Sequence, residues 1–213
     1  MATISTRKLT KLPDVNSLRE LMQSLAMLDA ILCPDWDGRY YSFNCRWNKN
    51  GDQMGSVRDG CGNELFALFN SQGCFIKGFD HEAPILDSIT PDQHYQGLPA
   101  IFESCVSEPA FSTDDVTFCI WRLKDDSQWS RNSIALPKGG DPDGSVALLT
   151  PFDGNPKTYQ EWAEDYYECD VSPDAVRAIY ERKPLTKDLV TTLNPDQSLK
   201  DLKDDIREIG YPR

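Results

Sequence analysis

The chain has 213 residues, a net charge of −12 and a hydrophobic content of 39%. This length and hydrophobic content are enough to fill the core of one domain, which argues against an intrinsically disordered protein. The sequence has neither an apolar run of the ~18 residues that a membrane helix needs nor an apolar signal region, so it predicts no membrane span and no secretion.

The excess negative charge is concentrated in the middle of the chain. Residues 80–170 hold 18 acidic and 5 basic residues, whereas the segments on either side are close to neutral. An acidic surface repels nucleic acids and acidic membranes and attracts basic proteins, although net charge also serves solubility. The sequence therefore predicts a basic protein as partner, with no nucleic acid and no membrane.

The seven cysteines are widely spaced and include no C-x-x-C pair. A disulfide framework or a structural zinc site has tighter cysteine spacing. We therefore expect buried, reduced thiols in a cytoplasmic protein that holds no cofactor.

The first regular element is a predicted N-terminal helix, preceded by a loose arm. Leucine and methionine recur at steps of three and four over residues 15–32, which is typical of a helix with one buried face. Asp14 or Asn16 is placed to cap this helix, and Pro34 to end it.

Residues 39–79 are predicted to form a four-stranded antiparallel meander. Apolar and polar residues alternate in the motif RYYSFNCRW (39–47), as in a strand with one buried face. The strands are separated by turn sequences at Asn50-Gly51, Asp59-Gly60 and 71–73. Because this segment carries almost no net charge, we expect it to be the scaffold rather than the binding surface.

Further strands are predicted over residues 116–149, after a short helix at 98–107. The motif VTFCIWRL (116–123) is apolar on both faces, which favours a central strand covered on both sides. Residues 128–136 are expected to pair with it, and residues 146–149 to form another strand.

The rest of the chain is predicted to be helical. Thr158 and Glu161 form a capping-box pattern before a helix at 159–169, and Ser172-Pro173 is typical of the start of another helix. The elements together predict an α+β fold: one antiparallel sheet of about six strands, an N-terminal helix packed on it, and a C-terminal helical cluster. Residues 1–170 are expected to form the α+β domain, and residues 171–213 a helical extension packed on it.

The sequence shows no pattern typical of a catalytic or metal site. It has two histidines, His81 and His94, and neither belongs to the H-E-x-x-H motif of zinc enzymes. A G-x-S-x-G nucleophile motif is also missing. A binding protein, monomeric or homodimeric, is therefore favoured over an enzyme. The alternatives are a metal- or small-ligand-binding enzyme that uses Asp80, His81 and His94, and a structural protein with oligomeric contacts only.

The predicted binding surface is the acidic and aromatic helix at 159–169. Tyr159, Trp162 and Tyr166 have the spacing of a core stripe, so the carboxylates between them are expected to face a partner. Two acidic loops would extend this surface. The predicted partner-binding residues are Asp125, Asp126, Asp141, Asp143, Glu161, Glu164, Asp165 and Glu168.

Four motifs resemble those of a set of small bacterial cytoplasmic proteins. They are RYYSFNCRW, LFNSQGCFIKGFDHEAPI, EPAFSTDDVTFCIWR and DGNPKTYQEWAEDYYE. Members of that set include immunity proteins of polymorphic and type VI secreted toxins. The resemblance spans residues 25–170 and implies an inhibitor that occludes the active site of a toxin. A nuclease toxin would suit the acidic middle segment, because its substrate cleft must be basic.

Overall fold

The computed structural model describes residues 3–212 and shows the predicted α+β class. Six strands form one antiparallel sheet whose spatial order is the chain order. The strands are β1 (Tyr41–Asn44), β2 (Gln53–Arg58), β3 (Glu64–Asn70), β4 (Gly73–Phe79), β5 (Phe118–Leu123) and β6 (Ser130–Arg131). The predicted four-stranded meander is confirmed as β1 to β4.

Helices precede, interrupt and follow the sheet. The α-helices are α1 (Val15–Leu32), α2 (Pro91–His94), α3 (Glu103–Val106), α4 (Ser145–Leu149), α5 (Pro156–Tyr166), α6 (Pro173–Tyr180), α7 (Lys187–Leu193) and α8 (Lys203–Ile209). Short 3₁₀ helices lie at Leu9–Lys11, Trp36–Gly38, Pro84–Asp87, Ala100–Phe102, Pro109–Phe111 and Thr150–Phe152. Among the residues with described positions, no helix has the length and apolarity to cross a membrane.

The predicted N-terminal helix is confirmed as α1. Asp14 caps it, since its carboxylate accepts hydrogen bonds from the backbone N–H groups of Asn16 and Ser17. One face of α1 packs on the sheet, and residues of α6, α7 and α8 cover other parts of it and share the same apolar core.

The sheet is covered on both faces. One face lies against α1 and the C-terminal helices, and the other is covered by residues 84–115, which contribute Phe102 and Phe111 to a second, smaller apolar core. β5 has apolar side chains in both cores, as predicted. It is not central, because it lies fifth in the sheet, next to the two-residue edge strand β6.

Residues 146–149, predicted to be a strand, belong instead to helix α4. The Asp141 carboxylate accepts the N–H groups of Val146 and Ala147, and Gly144 has the positive φ of 72° that turns the chain into the helix. The predicted range of strands at 116–149 therefore ends at β6.

Other predicted boundaries also change. Asn155 rather than Thr158 caps α5, with Pro156 at its first position, and the Thr158 hydroxyl donates to Asp153. The predicted two-residue turn at Asn50-Gly51 is part of a longer loop over residues 45–52.

The predicted loose arm is held against the domain. Ile4 is fully buried, and the Arg7 guanidinium donates hydrogen bonds to the backbone carbonyls of Pro137 and Gly139. All seven cysteines are free thiols. Cys74, Cys105 and Cys119 are buried as expected, but Cys33 and Cys45 are half-buried and Cys61 and Cys169 are exposed.

Candidate functional site

A surface cleft of about 160 Å³ lies where the start of the meander meets the end of α5. We call it the Trp36 cleft. Its lining residues are Trp36, Asp37, Arg39, Tyr40, Ser42, Ser56, Arg58, Gly60 and Tyr166. The meander, predicted to be only a scaffold, therefore contributes side chains to a surface cleft.

Trp36 is held at the rim of this cleft by local structure. It begins the 3₁₀ turn Trp36–Gly38, in which the backbone N–H of Asp37 donates a hydrogen bond to the carboxylate of Asp35. The guanidinium of Arg58 lies 5.6 Å from the Trp36 ring centroid, within the range of a cation–π contact. The Trp36 side chain remains 51% exposed, which is unusual for so large an apolar surface.

Tyr166 also lines the cleft and departs from its predicted position in the core. It is 40% exposed. Its ring stacks on Trp162 at a centroid distance of 4.9 Å, and Trp162 in turn lies 4.7 Å from Tyr40, which lines the cleft. Tyr159 is buried as predicted. The aromatic stripe of α5 thus runs from the core at Tyr159 to the surface at Tyr166.

The cleft carries charges of both signs. Arg39 forms an ion pair with Asp205 and donates to the carbonyl of Cys33, so its charge is compensated within the fold. Arg58 has no ion pair in the part of the chain that the structure describes. Burial raises the pKa of Tyr40 from 10.0 to about 12.

Three of the four predicted acidic residues of the α5 segment face solvent. Glu161 is exposed and forms a 3.1 Å ion pair with Lys157, a contact that is weak in water. Asp165 and Glu168 are exposed and form no ion pair within residues 3–212. Glu164 is only half-exposed, because its carboxylate accepts hydrogen bonds from the Gln160 side chain and from the backbone of Val171.

The predicted acidic loops have a mainly structural role. Asp125 is exposed, but the Asp126 carboxylate accepts the N–H of Leu123 and the Asp141 carboxylate caps α4. Asp143, predicted to contact a partner, is only 1% exposed and accepts hydrogen bonds from the hydroxyls of Thr6 and Ser145. Its carboxylate is inside the fold and is not part of an accessible surface.

An apolar groove of about 310 Å³ adjoins the aromatic stripe. It lies between α4 and α5, and Trp162 lines it while also contacting the Tyr40 and Tyr166 rings of the Trp36 cleft. The other lining residues are Tyr41, Val146, Ala147, Thr150, Pro151, Thr158 and Tyr159. Trp162 thus connects two concave features into one aromatic surface.

The residues proposed for an alternative enzyme have different surroundings. His81 is exposed, and its Nδ1 is 2.8 Å from the side-chain oxygen of Asn63. His94 is 2% exposed, and burial lowers its pKa. The Asp80 carboxylate accepts the backbone N–H of Glu82. Across residues 3–212, no three His, Cys, Asp or Glu side chains are grouped closely enough to hold a metal ion.

Sequence reasoning missed Trp36 and Arg58. Trp36 follows Pro34 in a short segment with no periodicity, and Arg58 ends a strand, so neither has a local pattern that indicates a surface site. The motif DWDG, a large aromatic residue between two carboxylates in a turn, was the available signal.

Comparison of the chain with protein-family models, with curated proteins and with solved structures finds no match.

Proposed function

We propose that this protein is an immunity-type binding protein that docks a basic protein partner on the surface around the Trp36 cleft. The observation that carries the proposal is the pair of large, exposed aromatic side chains, Trp36 at 51% and Tyr166 at 40%, that line one concave site. Tryptophan and tyrosine in such positions supply most of the binding free energy in many protein interfaces.

The aromatic surface is pre-organised for binding. Tyr166 is stacked on Trp162, and Trp36 is held by the capped turn that precedes β1, so little side-chain entropy is lost when a partner covers them. The backbone of α5 is fixed by buried Tyr159 and Ala163. These contacts support recognition by a rigid surface.

The surrounding charge favours a basic partner. Glu161, Asp165 and Glu168 are exposed on α5 and at its end, and Asp35 and Asp37 flank Trp36. Carboxylates at the rim of an aromatic site increase the association rate of a basic protein and select against acidic ones. Lysine or arginine side chains of the partner would also have two exposed aromatic faces for cation–π contacts.

The partner class follows from the resemblance found in the sequence. It implies a bacterial toxin whose active site the protein occludes, and a nuclease has the basic substrate cleft that this surface would complement. The structural features support a basic protein partner; the toxin itself is the part of the proposal that the resemblance supplies.

The proposal is tested with the product of the adjacent gene. We expect the two purified proteins to form a complex in size-exclusion chromatography, and co-expression to prevent the toxicity of that product. The double variant Trp36→Ala/Tyr166→Ala should lose both effects. The matched control is Ile101→Ala. Ile101 is 47% exposed and does not line the Trp36 cleft. Absence of both complex and protection with the wild-type protein would refute the proposal.

A further inference from the structure

A second cleft, of about 250 Å³, lies between the start of α1, the turn that joins β3 to β4, and the end of β5. We call it the basic cleft, because Arg19, Arg122 and Lys124 line it and Asp14 is its only acidic lining residue. Three cations around one concave site are unexpected on a chain with a net charge of −12.

The three cations are not compensated by ion pairs. Within residues 3–212, none of Arg19, Arg122 and Lys124 has a carboxylate within 4.0 Å. Arg19 and Arg122 are half-buried and Lys124 is exposed. Like charges repel one another most strongly where solvent screening is reduced, so a site of this kind favours an anion that neutralises them.

Asp14 does not cancel this charge. Its carboxylate accepts hydrogen bonds from the N–H groups of Asn16 and Ser17 and from the Ser17 hydroxyl, so its oxygens are already engaged in capping α1. It offsets one of the three positive charges, and the lining of the cleft keeps a net positive charge of two. The same capping means that the cations, not the helix N–H groups, would hold an anion.

The cleft has donors with a fixed arrangement. The Nε of Arg122 donates to the carbonyl of Asp126 at 3.1 Å, which orients the guanidinium and leaves its two terminal nitrogens free to donate. The turn can lie against β5 because residue 73 is glycine: a Cβ there would be 2.2 Å from the Arg122 carbonyl oxygen. The side-chain amides of Asn16 and Asn70 line the cleft as additional donors.

We propose that the basic cleft binds a phosphate-bearing small molecule or a free polyphosphate. Planar guanidinium groups bind phosphate oxygens in a bidentate manner, and a lysine adds a mobile point charge. The cleft is large enough for one or two phosphate groups. This site is independent of the aromatic surface proposed for protein docking.

The proposal is tested by titrating pyrophosphate into the wild-type protein at low ionic strength, with ³¹P NMR and calorimetry as readouts. We expect saturable binding of one pyrophosphate per chain. Arg19→Gln/Arg122→Gln should weaken binding at least about tenfold, because it removes two of the three cations that line the cleft. Lys124→Gln alters an exposed residue, so it keeps the fold intact and should weaken binding in the same direction.

The control is Arg177→Gln/Lys187→Gln, which removes the same charge from exposed positions outside the cleft. It should bind pyrophosphate with wild-type affinity. The proposal is overturned if the wild-type protein does not bind, or if the control loses as much affinity as the cleft variants. Equal or tighter binding of malonate would overturn the assignment to phosphate.

Discussion

The hydroxyl of Tyr159 on α5 donates a 2.7 Å hydrogen bond to the carboxylate of Asp29, a fully buried residue of α1. The second oxygen of Asp29 accepts the backbone N–H groups of Tyr40 and Tyr41 at 2.9 and 2.7 Å. One carboxylate therefore joins α1, the start of β1 and α5. The start of β1 and α5 both contribute side chains to the Trp36 cleft, so this internal contact fixes part of the proposed docking surface.

We predict that Tyr159→Phe lowers the free energy of unfolding by about 1–3 kcal/mol, because it removes a hydrogen bond from a buried carboxylate. Chemical denaturation at neutral pH measures the change. Tyr166→Phe is the control: its hydroxyl is on a 40% exposed side chain, so its loss should change stability by no more than about 0.5 kcal/mol. Equal effects of the two substitutions would contradict the role given to Asp29.

The stability of the protein should also depend on pH through Asp29. Burial raises the pKa of this carboxyl from 3.8 to about 6, so the folded state binds a proton more tightly than the unfolded state does. The resulting contribution of Asp29 to the free energy of unfolding is roughly 3 kcal/mol. It is fully present below about pH 4 and is lost as the pH rises through 6.

Denaturation of the wild type and of Asp29→Asn from pH 4 to pH 7 measures this effect. The asparagine variant cannot titrate, so its stability should not show the decrease that the wild type shows over this range. Parallel pH profiles for the two proteins would exclude Asp29 as the titrating group. The comparison uses the slope with pH, so a lower absolute stability of the variant does not affect it.

Lys77 is predicted to be the charged residue most important for attaching residues 84–115 to the sheet. Its side chain is fully buried, and its Nζ donates to Glu64 at 2.8 Å and to the carbonyls of Phe111 and Ser112 at 2.8 and 3.2 Å. Ser112 has a positive φ of 44°, a conformation that this contact helps to hold.

Lys77→Met should therefore lower the free energy of unfolding by about 2–4 kcal/mol, since it leaves several buried acceptors without a donor. Lys157→Met breaks the exposed ion pair with Glu161 and should cost less than about 1 kcal/mol. Hydrogen exchange should show faster opening of residues 84–115 in the first variant only. Unchanged exchange in that segment would refute the proposed role of Lys77.

Binding of the partner should depend more on the aromatic rim than on single carboxylates. Trp36→Ala is expected to weaken the complex by at least about 2 kcal/mol, mainly through faster dissociation. Asp165→Lys should mainly slow association and reduce its salt dependence, because its carboxylate is exposed. Surface plasmon resonance separates the two rates. Asp196→Lys makes the same charge change in an exposed turn that does not line the cleft. An equal effect of this control on association would show that only net charge matters.

Sequence patterns predicted the elements that are governed by local interactions. The leucine stripe of α1, the Asp14 cap and the Ser172 cap with Pro173 are all found in the structure, because each depends on residues a few positions apart. The apolar run at 146–149 was assigned wrongly, since four apolar residues fit a strand and a buried helical turn equally well. Its helix is determined by Asp141, whose role becomes evident only in three dimensions.

The candidate site was less predictable for the same reason. Asp143 belongs to a segment whose composition is typical of an exposed acidic loop. Its carboxylate is nevertheless buried, and it accepts a hydrogen bond from the hydroxyl of Thr6, 137 positions earlier in the chain. Tyr166 has the spacing of a core residue, yet it lies beyond the point where α5 leaves the core. Periodicity identifies the face of a helix, but where that face stops being covered depends on the neighbouring elements.

The order of the strands has a consequence for how the protein is made. Each strand pairs with the next along the chain, so the sheet can form on the ribosome as its strands emerge, up to residue 131. α1 is synthesised before the sheet and packs on it, but the C-terminal helices that cover the rest of α1 are synthesised much later. Gln23 on this helix bonds the carbonyl of Ile209, and Tyr211 bonds the carbonyl of Ile179. Until residues 206–211 leave the ribosome, a nascent chain whose sheet is complete still exposes the part of α1 that these residues cover. We expect the need for chaperones to be greatest at this stage of synthesis.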